Sequence, residues 1–568
     1  PSVPRGTDSS TKELIVLLEH SDSKYMILPD LGLLDALFDH APDKIKAVKH
    51  IFIMDKPASE QPYAKMLKEL KQVVFYDELM EKGGKRLEKE PDLYTELIKK
   101  IDPKTLVSIV YTSGTTGNPK GVMLDHTNFL HNVRAITPVL EIKHRGQDKS
   151  LNILPIWHVY ERSFEFCTQA GTMANVYSDP RNMSADLAEQ NPHVFASVPR
   201  VWQNIYERIM QKVKEKSPVA RFIFFISLKG NFYWVLSRKH LSGAYLSFKR
   251  RSLFRRFFAG TWDLIRLVLL FPIHLLAGVI FKPIKQKLGK NMRSSYSGAG
   301  SLPRYCDNFF NSIGINLYNA YGMTESSPGI MSRRPGRNTL GATGIPFMET
   351  EVRVLNSAGK VTEIGEKGVL YARGPQVMRG YYKNPEKTKE MLCDDGWLNT
   401  GDLAVLTESG DYVIVGREKD TIVLLGGENV EPIPIEETLR TSVYIDHAVL
   451  LGQDKKTLEA LIVIGNETLE KLADTLKLRK EDIVADGDET IENSDAKKLI
   501  KGEARRLVNP KTGFRPFENI SNIVLMRKSF TVGKELTHTL KLKRKYVMEQ
   551  YNHIIAKLSL GKKKAKTK

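Results

Sequence analysis

A layered α/β architecture, with a β-barrel-like part and a small α+β unit at the C-terminal end, is the fold class this sequence predicts. Three observations carry it. From residue 1 to 198, short apolar runs alternate with amphipathic helical stretches, the pattern of a largely parallel sheet covered by helices. Between 341 and 416, short strands separated by turn signals such as Asn356-Ser-Ala-Gly359 and Glu408-Ser-Gly-Asp411 replace that alternation. After Arg417-Glu-Lys-Asp420 the texture changes again, to a few helices and strands. A chain of 568 residues is too long for one simple core, so it divides into an N-terminal domain, 1–419, and a C-terminal domain, 420–568.

The elements follow in order. A helix is expected over 12–20, strands over 25–28 and 51–54, and a helix over 64–73. Strands 106–111 and 122–124 flank a polar segment, and helix 128–137 and strands 151–154 and 194–198 follow. The stretch 203–216 has the spacing of a charged amphipathic helix, and 220–232 is strongly apolar. A basic run, Lys249-Arg-Arg-Ser-Leu-Phe-Arg-Arg256, leads to an apolar stretch over 264–281 interrupted by Arg266, Pro272 and His274. Its length is at the lower edge for a membrane span, and it carries a charge and a proline. A buried or interfacial helical hairpin with basic ends is expected rather than a span. Strand 315–321 comes next, then strands 351–355, 368–373, 403–407 and 412–415. The C-terminal unit reads as helix 435–441, strands 448–451 and 458–463, and helix 496–508.

The net charge is +19, concentrated in 249–256 and in the tail 562–568. The sequence carries no zinc-finger spacing, no RNP-type aromatic motif and no evident helix-turn-helix, so an anionic membrane surface is the expected partner of these charges and nucleic acid is not. Cys167, Cys306 and Cys393 lie far apart without a CxxC pattern, which argues for a reducing compartment and against a disulfide or zinc framework.

Chemistry concentrates first in Tyr111-Thr-Ser-Gly-Thr-Thr-Gly-Asn-Pro-Lys120. Gly114 and Gly117 let backbone N–H groups approach an anion, Thr112, Ser113, Thr115 and Thr116 add hydroxyl donors, and Lys120 adds a mobile positive charge. That combination suits a polyphosphate. It is not a Walker loop, because Lys120 is followed by Gly121 and a strand rather than by Ser or Thr and a helix. Asn319-Ala-Tyr-Gly-Met-Thr-Glu325 is the second motif. Tyr321 offers a flat face to an adenine ring, Thr324 a hydrogen bond to a phosphate oxygen, and Glu325 a hard oxygen ligand for Mg²⁺. Taken alone, a strand end with a solvated carboxylate would account for it.

The two motifs, in this order, resemble those of the adenylate-forming (AMP-binding) superfamily, which includes acyl-CoA synthetases, luciferases and the adenylation domains of peptide synthetases. Ser197-Val-Pro-Arg-Val-Trp202 and Gly341-Ala-Thr-Gly-Ile-Pro346 resemble its long-chain fatty acid–CoA ligase branch. The resemblance implies roles for further residues. Gly298, Ala299 and Gly300 would form the adenine-contacting turn with Asn319, Asp402 of Thr400-Gly-Asp402 would accept the ribose hydroxyls, and Arg417 would be their positive partner. Trp157 and His158 would line the acyl carboxylate end, where Glu161 and Arg162 are expected to pair with each other. Thr115 would join Glu325 at the metal, Asp420 would be the hinge of a mobile small domain, and Gly426 and Gly427 would face the pantetheine tunnel. In Leu536-Thr-His-Thr-Leu-Lys-Leu-Lys-Arg544 the adenylation lysine would be Lys541, with Lys543 and Lys545 as neighbours in register.

The implied activity is ATP-dependent activation of a long-chain fatty acid through an acyl-adenylate, with Mg²⁺ as cofactor and CoA as thiol acceptor. Acyl carrier protein is the alternative acceptor, and a non-turning-over, membrane-associated nucleotide-binding scaffold the alternative of another class. The location expected is cytoplasmic, at the inner face of a membrane. Pro1 and the residues after it resemble an internal segment of the family's first domain, so the chain is expected to lack an upstream part of that domain.

Overall fold

Polar caps set where the first helices begin. Ser10 accepts from the backbone N–H of Glu13 and Asp30 from that of Leu33, starting helices Thr11–His20 and Leu31–His40. Asp125 and Asn128 cap each other reciprocally at the start of helix His126–Ile136. The computed structural model describes residues 1–7, 9–112, 119–485, 487–537 and 541–564, and it has the α/β class expected.

The first helices cover a parallel three-stranded sheet, Tyr25–Leu28, His50–Ile53 and Val73–Phe75, whose core includes Leu31, Leu34, Ile51 and Ile53. The helix expected over 64–73 is shorter. It runs Ala64–Glu69, and β-branched Val73 and Val74 enter the sheet instead.

The main sheet has seven strands, in the order Ile345–Pro346, Gly329–Ser332, Leu317–Gly322, Ser294–Ser297, Val194–Ser197, Lys149–Asn152 and Ala174–Tyr177. The last five run parallel, and the first two close one edge antiparallel. Phe195, Trp202 and Phe310 interlock beneath it, with ring centroids 5.4 and 5.0 Å apart. The buried Arg333 pairs at 2.9 Å with Asp307 of helix Arg304–Ser312.

The β-rich part is an antiparallel sheet of Glu351–Leu355, Lys367–Arg373, Leu398–Leu406 and Tyr412–Arg417. Strands Leu106–Thr112 and Lys120–Asp125 pair antiparallel on either side of the polar segment, and Gly380–Tyr381 adds to the second of them. Beyond the 3₁₀ turn Glu418–Asp420, strands His447–Leu451, Leu458–Val463 and Ile520–Met526 form the C-terminal sheet. Helices Pro432–Leu439 and Ser494–Leu507 are among those that cover it.

The apolar middle of the chain forms two packed helices, Pro218–Leu241 and Leu253–Lys287. The stretch 264–281 is thus the middle of one 35-residue helix that continues through Pro272. Much of its apolar surface faces outward, which removes the buried version of the hairpin expectation.

Candidate active site

The carboxyl ends of the parallel strands collect the residues of interest, as is general for open α/β sheets. Strand Leu317–Gly322 leads into a 3₁₀ turn holding Thr324 and Glu325. Strand Ser294–Ser297 leads into Gly298–Gly300, Lys149–Asn152 into Trp157 and His158, and Val194–Ser197 into Pro199. Glycine is required at 322. A Cβ there would lie 1.8 Å from the Pro328 carbonyl oxygen, where the chain folds back on itself. Gly298 meets an aromatic wall instead, since its Cβ would sit 3.0 Å from the ring of Tyr160.

Glu325 is buried, and one carboxylate oxygen accepts the Tyr381 hydroxyl at 2.7 Å. Lys120 opens the strand beside Tyr381, with its ammonium 5.3 Å from that ring. Burial lowers the Lys120 pKa, Lys387 lowers it further, and Glu325 opposes them. Tyr381 has no motif around it. The one signal for it was the short aromatic run Gly380-Tyr-Tyr382, and its hydroxyl meets a glutamate 56 positions away in the sequence.

Asp402 and Arg417 are cross-strand partners, and the Arg417 Nε donates to Asp402 at 3.1 Å. The Tyr321 hydroxyl donates to the other Asp402 oxygen at 2.5 Å. The Tyr321 phenol is held well above its ordinary pKa by burial and by Asp402. Thr400-Gly-Asp402 belongs to a strand that starts earlier than the one expected over 403–407. It lies inside strand Leu398–Leu406, where Gly401 takes φ +67° and the Thr400 hydroxyl spans from the Leu370 carbonyl to the Asp402 N–H. Asn319 sits in the neighbouring sheet, and its carbonyl accepts from the Arg333 N–H.

His158 is the N-cap of helix Val159–Ala170, its Nδ1 accepting from the Tyr160 N–H at 3.2 Å. The imidazole proton therefore resides on Nε2. Burial and the charge of Lys541 push the pKa of His158 down to about 4, so the ring is neutral at physiological pH. Glu161 and Arg162 do not pair. Arg162 donates to Ser108 at 2.9 Å, while Glu161 is buried, and burial with Glu165 nearby raises the Glu161 pKa against the Asn152 side chain.

Lys541 reaches this cleft from the C-terminal domain. Its segment is held by Arg544, whose Nη2 lies 2.6 Å from both Glu436 oxygens, and by a backbone hydrogen bond from Thr537 to Lys541 of 2.8 Å. Lys543 is engaged elsewhere, donating to the Gly533 carbonyl at 2.8 Å, and Lys545 faces Glu549 on the surface. Lys541 is open to solvent yet ringed by protein, as in a cleft. Desolvation and then Arg417 push its pKa down to about 8, against Asp402 and Glu325. The structure thus brings together Lys541, Glu325, Asp402, Arg417 and His158. The two parts of the chain also touch through Gln203–Glu437 at 3.0 Å and Lys367–Glu431 at 2.7 Å.

Gly426 and Gly427 lie in the hairpin turn between Ile422–Val423 and Asn429–Val430, and Asp420 ends the 3₁₀ turn just before it. Ser113, Gly114, Thr115, Thr116 and Gly117 lie outside the described residues. Their flanks, Thr112 and Lys120, pair across the two strands.

Comparison with known proteins bears on this arrangement. Residues 1–382 match the AMP-binding enzyme family and 419–504 the AMP-binding enzyme C-terminal domain. The chain is 32% identical to "Probable acyl-activating enzyme 16, chloroplastic" of Arabidopsis thaliana, over 98% of this chain and 77% of the relative. It is 31% identical to the chloroplastic long-chain-fatty-acid–[acyl-carrier-protein] ligase AEE15 of the same plant, over 98% and 75%. With long-chain-fatty-acid–CoA ligase 5 of Rattus norvegicus the identity is 28%, over 83% and 66%. The adenylation domain of a carboxylate reductase from Mycobacterium chelonae shares the fold at a TM-score of 0.68 and 18% identity, over 98% of this chain and 76% of that one. The chain belongs to the AMP-binding, adenylate-forming enzyme family, on its acyl-CoA synthetase branch.

Proposed function

We propose that the protein activates a long-chain fatty acid with ATP and passes the acyl group to the thiol of CoA. The observation that carries this reading is the meeting of Lys541 with Glu325, Asp402 and Arg417 over a neutral His158. A carboxylate oxygen attacks the α-phosphorus of ATP, the bond to pyrophosphate breaks, and an acyl-adenylate remains. The thiol sulfur then attacks the acyl carbonyl, and AMP leaves with the electron pair of the broken C–O bond.

A carboxylate is a poor nucleophile toward an anionic phosphate, so the cleft must supply positive charge where negative charge builds. In this reading Lys541 and Lys120 supply it. The Asp402–Arg417–Tyr321 cluster offers a fixed carboxylate to ribose hydroxyls, and the Nε2–H of His158 offers a donor to the substrate carboxylate. At the far end of the same cleft, the second Glu325 oxygen has no hydrogen-bond donor among the described residues. This fits one hard ligand of a Mg²⁺ ion that arrives with ATP, since such ions bind through one or two carboxylates plus substrate phosphates. When bound, Mg²⁺ would neutralise phosphate charge. For the second half-reaction we propose that the small domain turns about Asp420, taking Lys541 away and presenting the Gly426–Gly427 hairpin to the pantetheine arm.

A second reading concerns the acceptor alone. The relative named as an acyl-carrier-protein ligase matches 98% of the chain and the rat CoA ligase 83%, so a carrier-protein thiol is the acceptor to set beside CoA. Offering CoA and holo acyl carrier protein in separate reactions with fatty acid and Mg·ATP, and identifying the thioester by mass, decides between them. No thioester with either acceptor and no fatty-acid-dependent pyrophosphate exchange would leave the scaffold reading.

A further inference from the structure

The helical pair 218–287 is built inside out. Helix Pro218–Leu241 turns Ser227, Gly230, Asn231 and Ser237 inward, and helix Leu253–Lys287 turns Asp263 and Ala277 inward. Between the helices the Ser237 hydroxyl donates to Asp263 at 2.7 Å, and Asp263 also contacts His240. The Nδ1–H of His274 donates to Asn231 at 2.7 Å, and its ring stacks on Trp234 with centroids 3.6 Å apart. The outer surface is apolar. Leu253 is 82% exposed, Val268 75% and Val279 70%, with Phe254, Phe257 and Leu269 between them. A helix pair facing water places its apolar residues inward. Small residues and interhelical hydrogen bonds inside, with apolar residues outside, are how helices pack in hydrocarbon.

Both ends of the pair are tied to the globular body. At one end Phe224 and Phe281 meet edge to face at 5.5 Å and join the core around Trp202 and Phe309. At the other, the Arg251 N–H and the Arg256 guanidinium donate to Glu408 at 2.7 and 2.6 Å, and the Glu408 N–H donates to the Ser247 carbonyl. The 35-residue helix is roughly 52 Å long at the usual rise, against a hydrocarbon core of about 30 Å. A rod of that length fastened at both ends to one body lies along it and does not cross a bilayer. Exposed basic side chains flank the apolar surface, Lys249, Arg250 and Arg255 at one end and Lys282, Lys287 and Lys290 at the other.

We propose that this pair is an in-plane membrane insert. The outer face of Leu253–Lys287 enters the acyl-chain boundary of one leaflet, and the flanking lysines and arginines meet anionic headgroups. The proposal does not rest on the fatty-acid reading, because lipid binding is measured without ATP or substrate.

The test is flotation of the full chain with phosphatidylcholine vesicles, with and without phosphatidylglycerol, at low and high salt. The expected result is salt-sensitive flotation that is strongest with phosphatidylglycerol. Brominated acyl chains should quench part of the tryptophan fluorescence, and Trp262→Phe should remove that quenching, because Trp262 is the exposed tryptophan on the outer face. V268E combined with L275E should lower partitioning by roughly tenfold or more. Its thermal melt should match the wild type, since both positions face outward. Lys249→Gln with Arg250→Gln should weaken only the phosphatidylglycerol-dependent part. The proposal is overturned if the double glutamate variant floats like the wild type, if neither vesicle carries the protein, or if the outer face proves to be a dimer contact that the same variant dissociates without lipid.

Discussion

The cleft and the helical pair break the usual distribution of polarity in opposite directions. In the cleft, charged groups converge among protein atoms, with Lys541, Glu325, Asp402 and Arg417 within electrostatic reach of one another. In the helical pair, a long run of apolar groups faces outward, and Ser237, Asp263, Asn231 and His274 meet between the helices. Each departure costs stability in water unless something outside the chain completes it. An anionic nucleotide would complete the cleft, whose Lys541 pKa is pushed down to about 8 by desolvation and Arg417. Hydrocarbon would complete the helices. The difference teaches that the proposed active-site chemistry is tested in solution with soluble substrates, while the proposed role of the helical pair is tested only with lipid.

The contrast can be sharpened at Glu325. Glu325→Gln keeps the shape and removes the charge, so adenylation should fall by about 10² or more, while flotation with lipid vesicles stays unchanged. A variant that lost both would break the separation of the two regions. Within the helical pair, Asp263→Ala leaves the buried Ser237 hydroxyl without its acceptor, which should cost about 1–3 kcal/mol in chemical denaturation. Adenylation by the variant that stays folded should be retained.

The pH dependence probes the cleft alone. In the proposed first step Lys541 acts as a cation, and its pKa is lowered to about 8, so kcat/KM for adenylation should fall as the pH rises through about 8. Lys541→Arg should move that falling limb upward, since a guanidinium stays charged. His158, pushed down to about 4, should contribute no rising limb near neutrality. The smallest effect concerns the cap. His158→Ala removes the acceptor for the Tyr160 N–H and should cost about 1 kcal/mol of stability, which Asn at this position should restore.

The sheet class and the order of the motifs were legible from residues alone, because strand runs, glycines and the hydroxyl-rich segment carry their own physical reasons. Lys541 was singled out through its surrounding motif, and the structure sets it among the charges of the cleft while Lys543 donates to the Gly533 carbonyl. Tyr381 was hidden, since the glutamate its hydroxyl meets lies 56 positions away in the sequence. Glu161 was misread as a partner of Arg162, because adjacency on a helix start does not place two side chains together. The two long helices announced their apolar runs, but the inward polar stripe could not be read before Asn231 and His274, 43 residues apart, were seen to meet. The proline in the second helix counted against a membrane span, and the helix passes through it.

The central claim is that Lys541 serves the first half-reaction. Fatty-acid-dependent ATP–pyrophosphate exchange by Lys541→Ala, set beside thioester formation from supplied acyl-adenylate by the same variant, tests it most directly. The account predicts that exchange falls by about 10² or more, that thioester formation largely survives, and that Lys543→Ala keeps both. Wild-type exchange by Lys541→Ala, or its loss in Lys543→Ala alone, would contradict the account.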